Sequence, residues 1–312
     1  MVNEGGYMTI QQLNYVITIS EAGSINKASE MLYISQPSLT ESVKDLEKEL
    51  GITIFLRSGR GVTLTPEGAD FILYARQVVN DYQELIGRYG NSGNIKKKFG
   101  VSTQHYSFAV KAFVELVKEF DTSRYEFAIR ESRTRDIIYD VQTLRSEIGI
   151  IYMSDFNRSA MNKLLRSSNL EFHPIITCAA YVYLWKGHPL AGKEMITFED
   201  LKDYPCLSFE QGDHASFYYA EEILSTKDYV RIIKANDRAT MLNLMVGLNG
   251  YTLCSGIICE ELNGSDYLAV PFDAEGDYEA SKMEIGYITR KNSVLSKTGN
   301  LYIQKIHEYL VL

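Results

Sequence analysis

In the first 90 residues, apolar side chains recur at intervals of three and four, the spacing of amphipathic helices. The predicted helices span residues 10–22, 24–32, 36–50 and 66–89. The apolar stripe of the third helix consists of Leu39, Val43, Leu46 and Leu50. Ser35 before Pro37, and Thr65 before Pro66, mark two of the starts, because a hydroxyl caps free N–H groups and proline has no N–H to leave unpaired.

Two short β-branched or apolar runs, residues 52–56 and 62–64, follow the third helix. The segment between them is rich in glycine and carries Arg57 and Arg60. Short apolar runs joined by a glycine turn are typical of an antiparallel ribbon. We therefore expect a small ribbon with two arginines at its turn.

The fourth helix is long and carries one narrow apolar seam. Its members are Phe71, Ala75, Val78, Tyr82, Leu85 and Tyr89. Steps of four and three form a heptad pattern, which is narrower than the apolar face of an ordinary surface helix. We interpret it as a dimerisation helix; a helix packed against its own domain is the alternative.

From residue 99 onward, short apolar runs alternate with helical patterns, which indicates parallel sheets covered by helices. The predicted strands are 99–102, 125–130, 148–152, 206–209, 229–234 and 251–255. The predicted helices are 108–120, about 137–144, 217–224 and 239–248. Residues 170–177 and 268–272 are expected to cross between two α/β lobes, lobe 1 at about 96–169 plus 271–312 and lobe 2 at about 170–270.

The composition is that of a globular protein, with 45% hydrophobic and 23% charged residues. At about 100–200 residues per domain, a chain of 312 residues forms two or three domains. The net charge of −8 is unfavourable for binding phosphates. The first 90 residues are also acidic, so any DNA binding there depends on where individual basic residues lie.

The second and third predicted helices, with a three-residue turn between them, form a helix-turn-helix. The polar residues of the third helix are Gln36, Ser38, Thr40, Glu41, Lys44, Asp45 and Lys48. A helix that is buried along one stripe can enter the major groove and offer short polar groups to base edges. An ordinary three-helix bundle with a solvated face is the alternative.

The residues of this region resemble the N-terminal signature of the LysR-type bacterial transcriptional regulators. The similarity is dense over residues 23–40 and continues through Leu46-Glu47, Leu50-Gly51, Phe55 to Arg57, Arg60 and Leu64 to Gly68. Beyond about residue 70 the resemblance rests only on the order of the predicted domains and elements. The resemblance implies an α plus α/β fold: a winged helix-turn-helix at 1–65, a linker helix at 66–90, and at 91–312 a two-lobed effector domain resembling periplasmic solute-binding proteins.

Carried onto matching positions, the resemblance implies a set of DNA-binding residues. Gln36, Pro37, Ser38 and Thr40 face the groove, and Arg57 and Arg60 suit phosphates or the adjacent minor groove. The complete expected set is Ser24, Lys27, Ser35, Gln36, Pro37, Ser38, Thr40, Lys44, Arg57 and Arg60. Glu41 departs from the arginine or glutamine of many relatives; it could accept from cytosine, but we favour a surface charge paired with Lys44 or Lys48.

Two lobes imply a cleft lined by strand ends and helix N-termini, where free N–H groups favour anionic or zwitterionic ligands. In LysR-type regulators the position after the first strand, here residues 102–106, commonly contacts the inducer. Its sequence is closest to the branch that senses sulfur metabolites. Residues expected around the effector are Ser102, Thr103, Gln104, Ser132, Arg133, Thr134, Phe209, Glu210, Arg238 and Thr240.

The sequence predicts no catalytic site, metal site or cofactor, since it has no GxxxxGK[ST], GxSxG or HExxH motif and its five histidines are scattered. The four cysteines lie far apart, so reduced thiols are expected, with a redox pair of Cys254 and Cys259 as the alternative. No signal peptide or apolar run of membrane-spanning length is present, which predicts a cytoplasmic protein without a membrane partner.

We therefore expect a sequence-specific DNA-binding transcriptional regulator controlled by a small-molecule effector, and not an enzyme. Its expected partners are double-stranded DNA with a partly palindromic promoter site, an anionic effector, further copies of itself in a homodimer or homotetramer, and RNA polymerase. A cytoplasmic solute-binding or enzymatic α/β protein with an accessory helical domain is the alternative. The wing arginines and the missing export signal favour the regulator.

Overall fold

A computed structural model describes residues 8–58, 61–89, 97–120, 125–212, 217–274 and 281–310. The chain forms two compact units, Met1–Ile95 and Lys96–Leu312. Within the described residues, no helix is both long enough and apolar enough to cross a membrane.

The described residues of the first unit form four helices and a two-stranded ribbon. In chain order these are α1 (Ile10–Ala22), α2 (Ile25–Leu32), α3 (Gln36–Leu50), β1 (Phe55–Ser58), β2 (Gly61–Leu64) and α4 (Pro66–Tyr89). The predicted ends of α3 are confirmed, because the Ser35 hydroxyl accepts from the Ser38 N–H and Gly51 ends the helix with φ 68°. Leu39, Val43 and Leu46 lie in the core of this unit.

The ribbon is present, but β1 begins at Phe55, later than the predicted residue 52. The Glu47 carboxylate accepts from the N–H groups of Ile54 at 2.7 Å and Phe55 at 3.1 Å. Strand pairing starts at Phe55, opposite Leu64. Glu47 thus fixes the path of the chain from α3 into the ribbon.

The apolar seam of α4 is divided between two environments. Phe71 and Ala75 pack with Leu13 of α1, so this part of the seam fits the alternative of a helix packed against its own domain. Val78, Tyr82 and Leu85 remain 43%, 43% and 55% exposed. The side chain of Tyr89 lies outside the described residues.

The second unit contains the remaining elements. In chain order these are β3 (Lys97–Thr103), α5 (Ser107–Lys118), β4 (Tyr125–Glu131), α6 (Thr134–Gln142), β5 (Ile148–Met153), α7 (Arg158–Ser167), β6 (Leu170–Cys178), β7 (Tyr181–Trp185), β8 (Ile196–Thr197), α8 (Phe198–Leu201), β9 (Cys206–Phe209), β10 (Ile232–Ala235), α9 (Arg238–Leu248), β11 (Thr252–Cys254), α10 (Glu260–Asn263), β12 (Tyr267–Asp273), β13 (Met283–Arg290) and α11 (Lys297–Leu310).

Lobe 1 is built on a five-stranded sheet in the order β4-β3-β5-β13-β6. The predicted strands β3, β4 and β5 do pair in parallel. β13 runs antiparallel to both of its neighbours. The expectation that residues 170–177 cross into lobe 2 is corrected: they belong to β6, because Ile176 pairs with the fully buried Ile285 of β13.

Lobe 2 contains a parallel pair, β9 and β10, and a mixed sheet in the order β11-β7-β12-β8. The other expected crossing, residues 268–272, lies within β12, which pairs with β7. The predicted helix at 217–224 is wrong. Only a 3-10 turn, Phe217–Tyr219, forms there, and Leu224 has a φ of 58°. Tertiary hydrogen bonds to Glu221 and Glu222 hold this segment in place of helical ones.

Candidate DNA-binding surface and effector cleft

The polar side of α3 lies opposite its buried stripe. Gln36, Pro37 and Ser38 are exposed at the start of the helix, and Lys44 is exposed farther along. Glu41 is exposed on the same side and is paired with neither Lys44 nor Lys48 among the described residues, so the expected pairing is wrong. This surface therefore offers short polar groups and one lysine beside an acidic side chain.

Serine hydroxyls order the first turns of α2 and α3. The Lys27 N–H donates to the Ser24 hydroxyl at 3.5 Å, and the Ser38 N–H donates to that of Ser35 at 3.2 Å. The hydroxyls of Ser35 and Ser38 lie 2.7 Å apart. Capped helix starts of this kind, with Lys27 exposed beside one of them, are suited to the phosphates of a nucleic-acid backbone.

Three predicted DNA-binding residues remain: Thr40, Arg57 and Arg60. The Thr40 hydroxyl oxygen is buried and has no hydrogen-bond partner in the described parts of the chain. It is therefore turned toward the protein rather than toward a groove. Arg57 is exposed on β1. Arg60 lies outside the described residues.

In the second unit, a cavity of about 90 Å³ lies between the two lobes. His105 and Tyr106 line it from the end of β3 in lobe 1. Phe209, Arg238 and Leu253 line it from lobe 2. The cavity therefore lies where the ends of strands from both lobes meet, as the sequence predicts for an effector site.

Ser102 and Thr103 are fully buried and do not line this cavity. The Ser102 hydroxyl donates to the Asp140 carboxylate at 2.6 Å and lies 2.8 Å from the Ser146 hydroxyl. The Thr103 hydroxyl donates to the Gln104 carbonyl. Because side chains alternate along a strand, Ser102 faces α6 rather than the cleft. The placement of both residues at the effector is thus not supported.

Gln104 and Thr134 form a bridge between the lobes. The Gln104 amide donates to the Thr134 hydroxyl at 2.7 Å, and that hydroxyl donates to the Tyr219 carbonyl at 2.8 Å. The Thr134 N–H donates to the Gln211 side-chain oxygen at 3.2 Å. These two predicted residues therefore come together at the cleft, where they hold the lobes to each other.

His105 makes close contacts with lobe 2 across the cleft. The Nδ1 atom of its ring lies 2.7 Å from Oε2 of Glu221. Its backbone N–H donates to the same oxygen at 3.0 Å. Its ring also stacks on that of Phe209, with centroids 3.6 Å apart and planes at 5°. The ends of β3 and β9 thus touch each other directly.

Two of the ion pairs between the lobes involve residues expected around the effector. Arg133 lies 3.5 Å from Glu210, and Arg238 pairs with Glu131. Arg238 also lines the cavity. Because it is paired with Glu131, its charge is only partly available to a ligand in the cleft. Both pairs bring together lobes that come from distant parts of the sequence.

The last two expected effector residues have local roles. The Thr240 hydroxyl donates to the Asp237 carboxylate at 2.8 Å, and Asp237 caps α9. The Ser132 N–H donates to the Thr103 carbonyl at 3.0 Å. Neither residue lines the cavity.

Comparison with known families follows the division into two units. Residues 10–69 match the family described as bacterial regulatory helix-turn-helix protein, lysR family, and residues 104–310 match the LysR substrate binding domain. This protein belongs to the LysR family. LysR-type regulators are DNA-binding transcriptional regulators with an effector-binding domain, so the regulator predicted from the sequence is confirmed over the solute-binding or enzymatic alternative.

Similarity to individual LysR relatives extends along most of the chain. The uncharacterized HTH-type transcriptional regulator YbhD of Escherichia coli K12 is 23% identical over 298 residues, covering 94% of this chain and 89% of YbhD. The HTH-type transcriptional regulator AlsR of Bacillus subtilis 168 is 29% identical over 207 residues, covering 64% of each protein.

Solved structures of LysR regulators share the fold. A full-length variant of OxyR from Pseudomonas aeruginosa superposes with a TM-score of 0.64 at 18% identity, covering 98% of this chain and 96% of that one. CbnR, a LysR family regulator, gives 0.55 at 16% identity, covering 97% and 99%. At these identities the match shows the fold, and it confirms the fold class predicted from the sequence.

The sequence did not point to Glu221 and Glu222, which lie in the cleft and are each 7% exposed. Burial and the neighbouring Glu221 raise the pKa of Glu222 to about 8, although its carboxylate accepts the Phe209 N–H at 2.7 Å. Two adjacent glutamates in a predicted helix give no signal of a site. Only the fold shows that they are buried.

The cysteines are free in this structure. Burial raises the pKa of the Cys254 thiol to about 12. Since the thiolate is the reactive form, this environment disfavours oxidation of Cys254. The structure thus favours the expected reduced thiols over the redox pair.

Proposed function

We propose that this LysR-family regulator recognises a partly palindromic promoter site with paired copies of α3, and that an effector between the lobes of the second unit controls the binding. The contrast between the two sides of α3 carries this proposal. Leu39, Val43 and Leu46 are at most 1% exposed, whereas Gln36 and Ser38 are exposed at the start of the helix. A helix held so firmly on one side is suited to reading base edges with the other.

Phosphate contacts would come from Lys27, Lys44 and Arg57, which are all exposed. The first 90 residues carry 7 Lys and Arg against 11 Asp and Glu, so bulk charge does not attract DNA. We therefore assign the affinity to these local cations and to doubling of the site in an oligomer. Arg60, three residues after Arg57 in the sequence, belongs to the proposed set.

The exposed part of the α4 seam supports a homodimer or homotetramer. Val78, Tyr82 and Leu85 lie on one side of the helix with about half of each side chain exposed. Apolar groups at heptad spacing gain most by packing against a second helix of the same kind. A dimer would place two copies of α3 about 34–36 Å apart, one turn of DNA.

The effector is proposed to bind between the lobes as a small anion. Two groups support this. His105 lies just before the start of α5, and its backbone N–H already donates to a carboxylate, that of Glu221. Arg238 lies at the cavity wall. Contact with RNA polymerase completes the proposal, because a regulator on a promoter lies beside the polymerase.

A gel shift with DNA from upstream of the regulator's own gene tests this function. Gln36→Ala and Arg57→Ala should each weaken binding at least tenfold, the first by loss of a base contact and the second by loss of phosphate contacts. Arg166→Ala, which removes an exposed arginine from α7 in the second unit, is the matched control and should bind as wild type does. Unchanged binding in both test variants would refute the proposed surface.

A further inference from the structure

A segment of lobe 2, residues 217–224, lies in the inter-lobe cleft and is hydrogen-bonded to lobe 1; we call it the strap. The Tyr219 carbonyl accepts from the Thr134 hydroxyl at 2.8 Å. The Glu222 carbonyl accepts from the Tyr152 hydroxyl at 3.2 Å. Both donors belong to lobe 1, whereas β9 and β10, the nearest strands before and after the strap in the sequence, belong to lobe 2.

Aromatic contacts add to this attachment. The ring of Tyr218 stacks on Phe156 with centroids 4.9 Å apart. The Arg135 guanidinium lies over the ring of Tyr219 at 5.6 Å. Each of these pairs again joins the strap to lobe 1, so the strap holds the two lobes together.

The Glu221 side chain of the strap is bound as a ligand carboxylate would be. Its Oε2 accepts from the His105 N–H at 3.0 Å and lies 2.7 Å from His105 Nδ1. Its Oε1 accepts from the Gln211 amide at 2.9 Å. The side chain is 5% exposed. Donors from both lobes therefore converge on a single carboxylate.

These donors define the chemistry that the position accepts. His105 lies just before α5, where free N–H groups and the positive end of the helix dipole favour an anion. A buried carboxylate is tolerated only where hydrogen bonds replace its lost water. The site is therefore complementary to a carboxylate, and the protein fills it with one of its own.

A second, independent observation points to a polar ligand group at this cavity. The Thr252 hydroxyl is buried and has no hydrogen-bond partner among the described residues, and Thr252 lines the same cavity as Glu221. That cavity measures about 90 Å³. Ligand sites usually measure about 300–1,000 Å³, so the space beside the strap is too small for an effector.

We propose that Glu221 is an internal stand-in for the effector: a small carboxylate with an apolar body binds by displacing Glu221 from His105 and Gln211. Displacement would free the strap, enlarge the cavity, and give the Thr252 hydroxyl a partner. An apolar body is favoured because Met241, Leu253 and Ile257 line the cavity that would enlarge. This inference rests on the proposed effector cleft and adds the chemical class of the effector and its internal competitor.

Chemical rescue of the full-length Glu221→Ala variant tests the proposal. Sodium acetate, compared with sodium chloride at equal ionic strength, should raise the Tm of this variant saturably, by about 3–5 °C at ten times its dissociation constant. Wild type should respond far less, because Glu221 already holds the site. Glu199→Ala removes an exposed carboxylate from α8 and is the matched control, expected to behave as wild type does.

Equal responses of Glu221→Ala, Glu199→Ala and wild type would overturn the proposal. If Glu221→Ala does not fold, Glu221→Gln takes its place. Acetate should then still raise the Tm of the Gln variant above its effect on wild type, since an amide holds the position less tightly; equal effects overturn the proposal. The gel shift tests α3 and the wing, which is the β1–β2 ribbon of the first unit. A negative gel shift would therefore not change the acetate result, and a negative acetate result would not change the gel shift.

Discussion

The ring of His105 lies flat on that of Phe209, with centroids 3.6 Å apart and planes at 5°. One residue follows β3 of lobe 1 and the other ends β9 of lobe 2. The same His105 binds Glu221 of the strap. The stack therefore fixes the lobes at the point where the effector is proposed to bind, and its removal should loosen the second unit.

Phe209→Ala should lower the free energy of unfolding of the second unit by about 2 kcal/mol, from lost apolar contact and lost stacking on His105. Urea denaturation measures this value. Phe217→Ala is the control, because Phe217 is 67% exposed, and its effect should stay within about 0.5 kcal/mol. Equal effects of the two substitutions would show that the stack contributes nothing to stability.

Glu222 should make stability depend on pH. Its pKa is raised from 4.5 to about 8 in the folded protein. Between these values the folded state holds a proton that the unfolded state has released. The stabilisation that this proton contributes is complete below about pH 4.5 and is lost as the pH rises through 8. Over this range the free energy of unfolding falls by up to about 1.4 kcal/mol per pH unit.

Glu222→Gln should remove this part of the pH dependence, so the wild-type and variant curves of unfolding free energy should converge or cross as the pH rises. Glu199→Gln, an exposed carboxylate on α8, should leave the wild-type slope in place. Parallel curves for wild type and Glu222→Gln from pH 5 to 8 would contradict the raised pKa of Glu222.

Gly68 is required by close packing in the first unit. A Cβ at this position would lie 2.1 Å from the Ile54 carbonyl oxygen, a backbone atom that cannot turn aside. Gly68→Ala should therefore destabilise the first unit by about 2 kcal/mol or more, in thermal unfolding, and weaken DNA binding. Gly247→Ala is the control: nothing lies within 4 Å of its Cβ, and added helix propensity should make the change neutral or stabilising.

The exposed seam of α4 should hold copies of the chain together. Tyr82→Asp places a charge among Val78, Tyr82 and Leu85 and should shift the protein to a smaller species in sedimentation velocity, because a buried charge without a partner is costly. Asn80→Asp introduces the same charge about 160° away around the helix and should leave the mass unchanged. An oligomer that survives Tyr82→Asp unaltered would place the interface elsewhere.

Local signals explain which parts of the fold the sequence predicts well. Ser35 and Gly51 bound α3 by their own backbone and hydroxyl chemistry, and three of its stripe residues reach the core. The same holds for β3, β4 and β5, whose apolar runs alternate with helices. These elements depend on residues close together in sequence, and all are present where expected.

Long-range contacts explain the failures. β6 pairs with β13, more than 100 residues away, which no local pattern reveals. Residues 217–224 have helical spacing, yet His105 and Phe209 hold Glu221 and Glu222 outside a helix. Ser102 lies at the position where LysR-type regulators commonly contact the inducer, but its hydroxyl donates to the Asp140 carboxylate of this protein instead. In each case a tertiary partner outweighs a local preference.

The salt dependence of DNA binding tests the central claim most directly. Fluorescence anisotropy with the upstream DNA should show the logarithm of the binding constant falling steeply with the logarithm of salt concentration, because phosphate contacts release counterions. Arg57→Ala should flatten that slope by about one for each copy of the wing that touches DNA. A flat profile for wild type, or an unchanged slope in Arg57→Ala, would contradict recognition by the helix-turn-helix and wing.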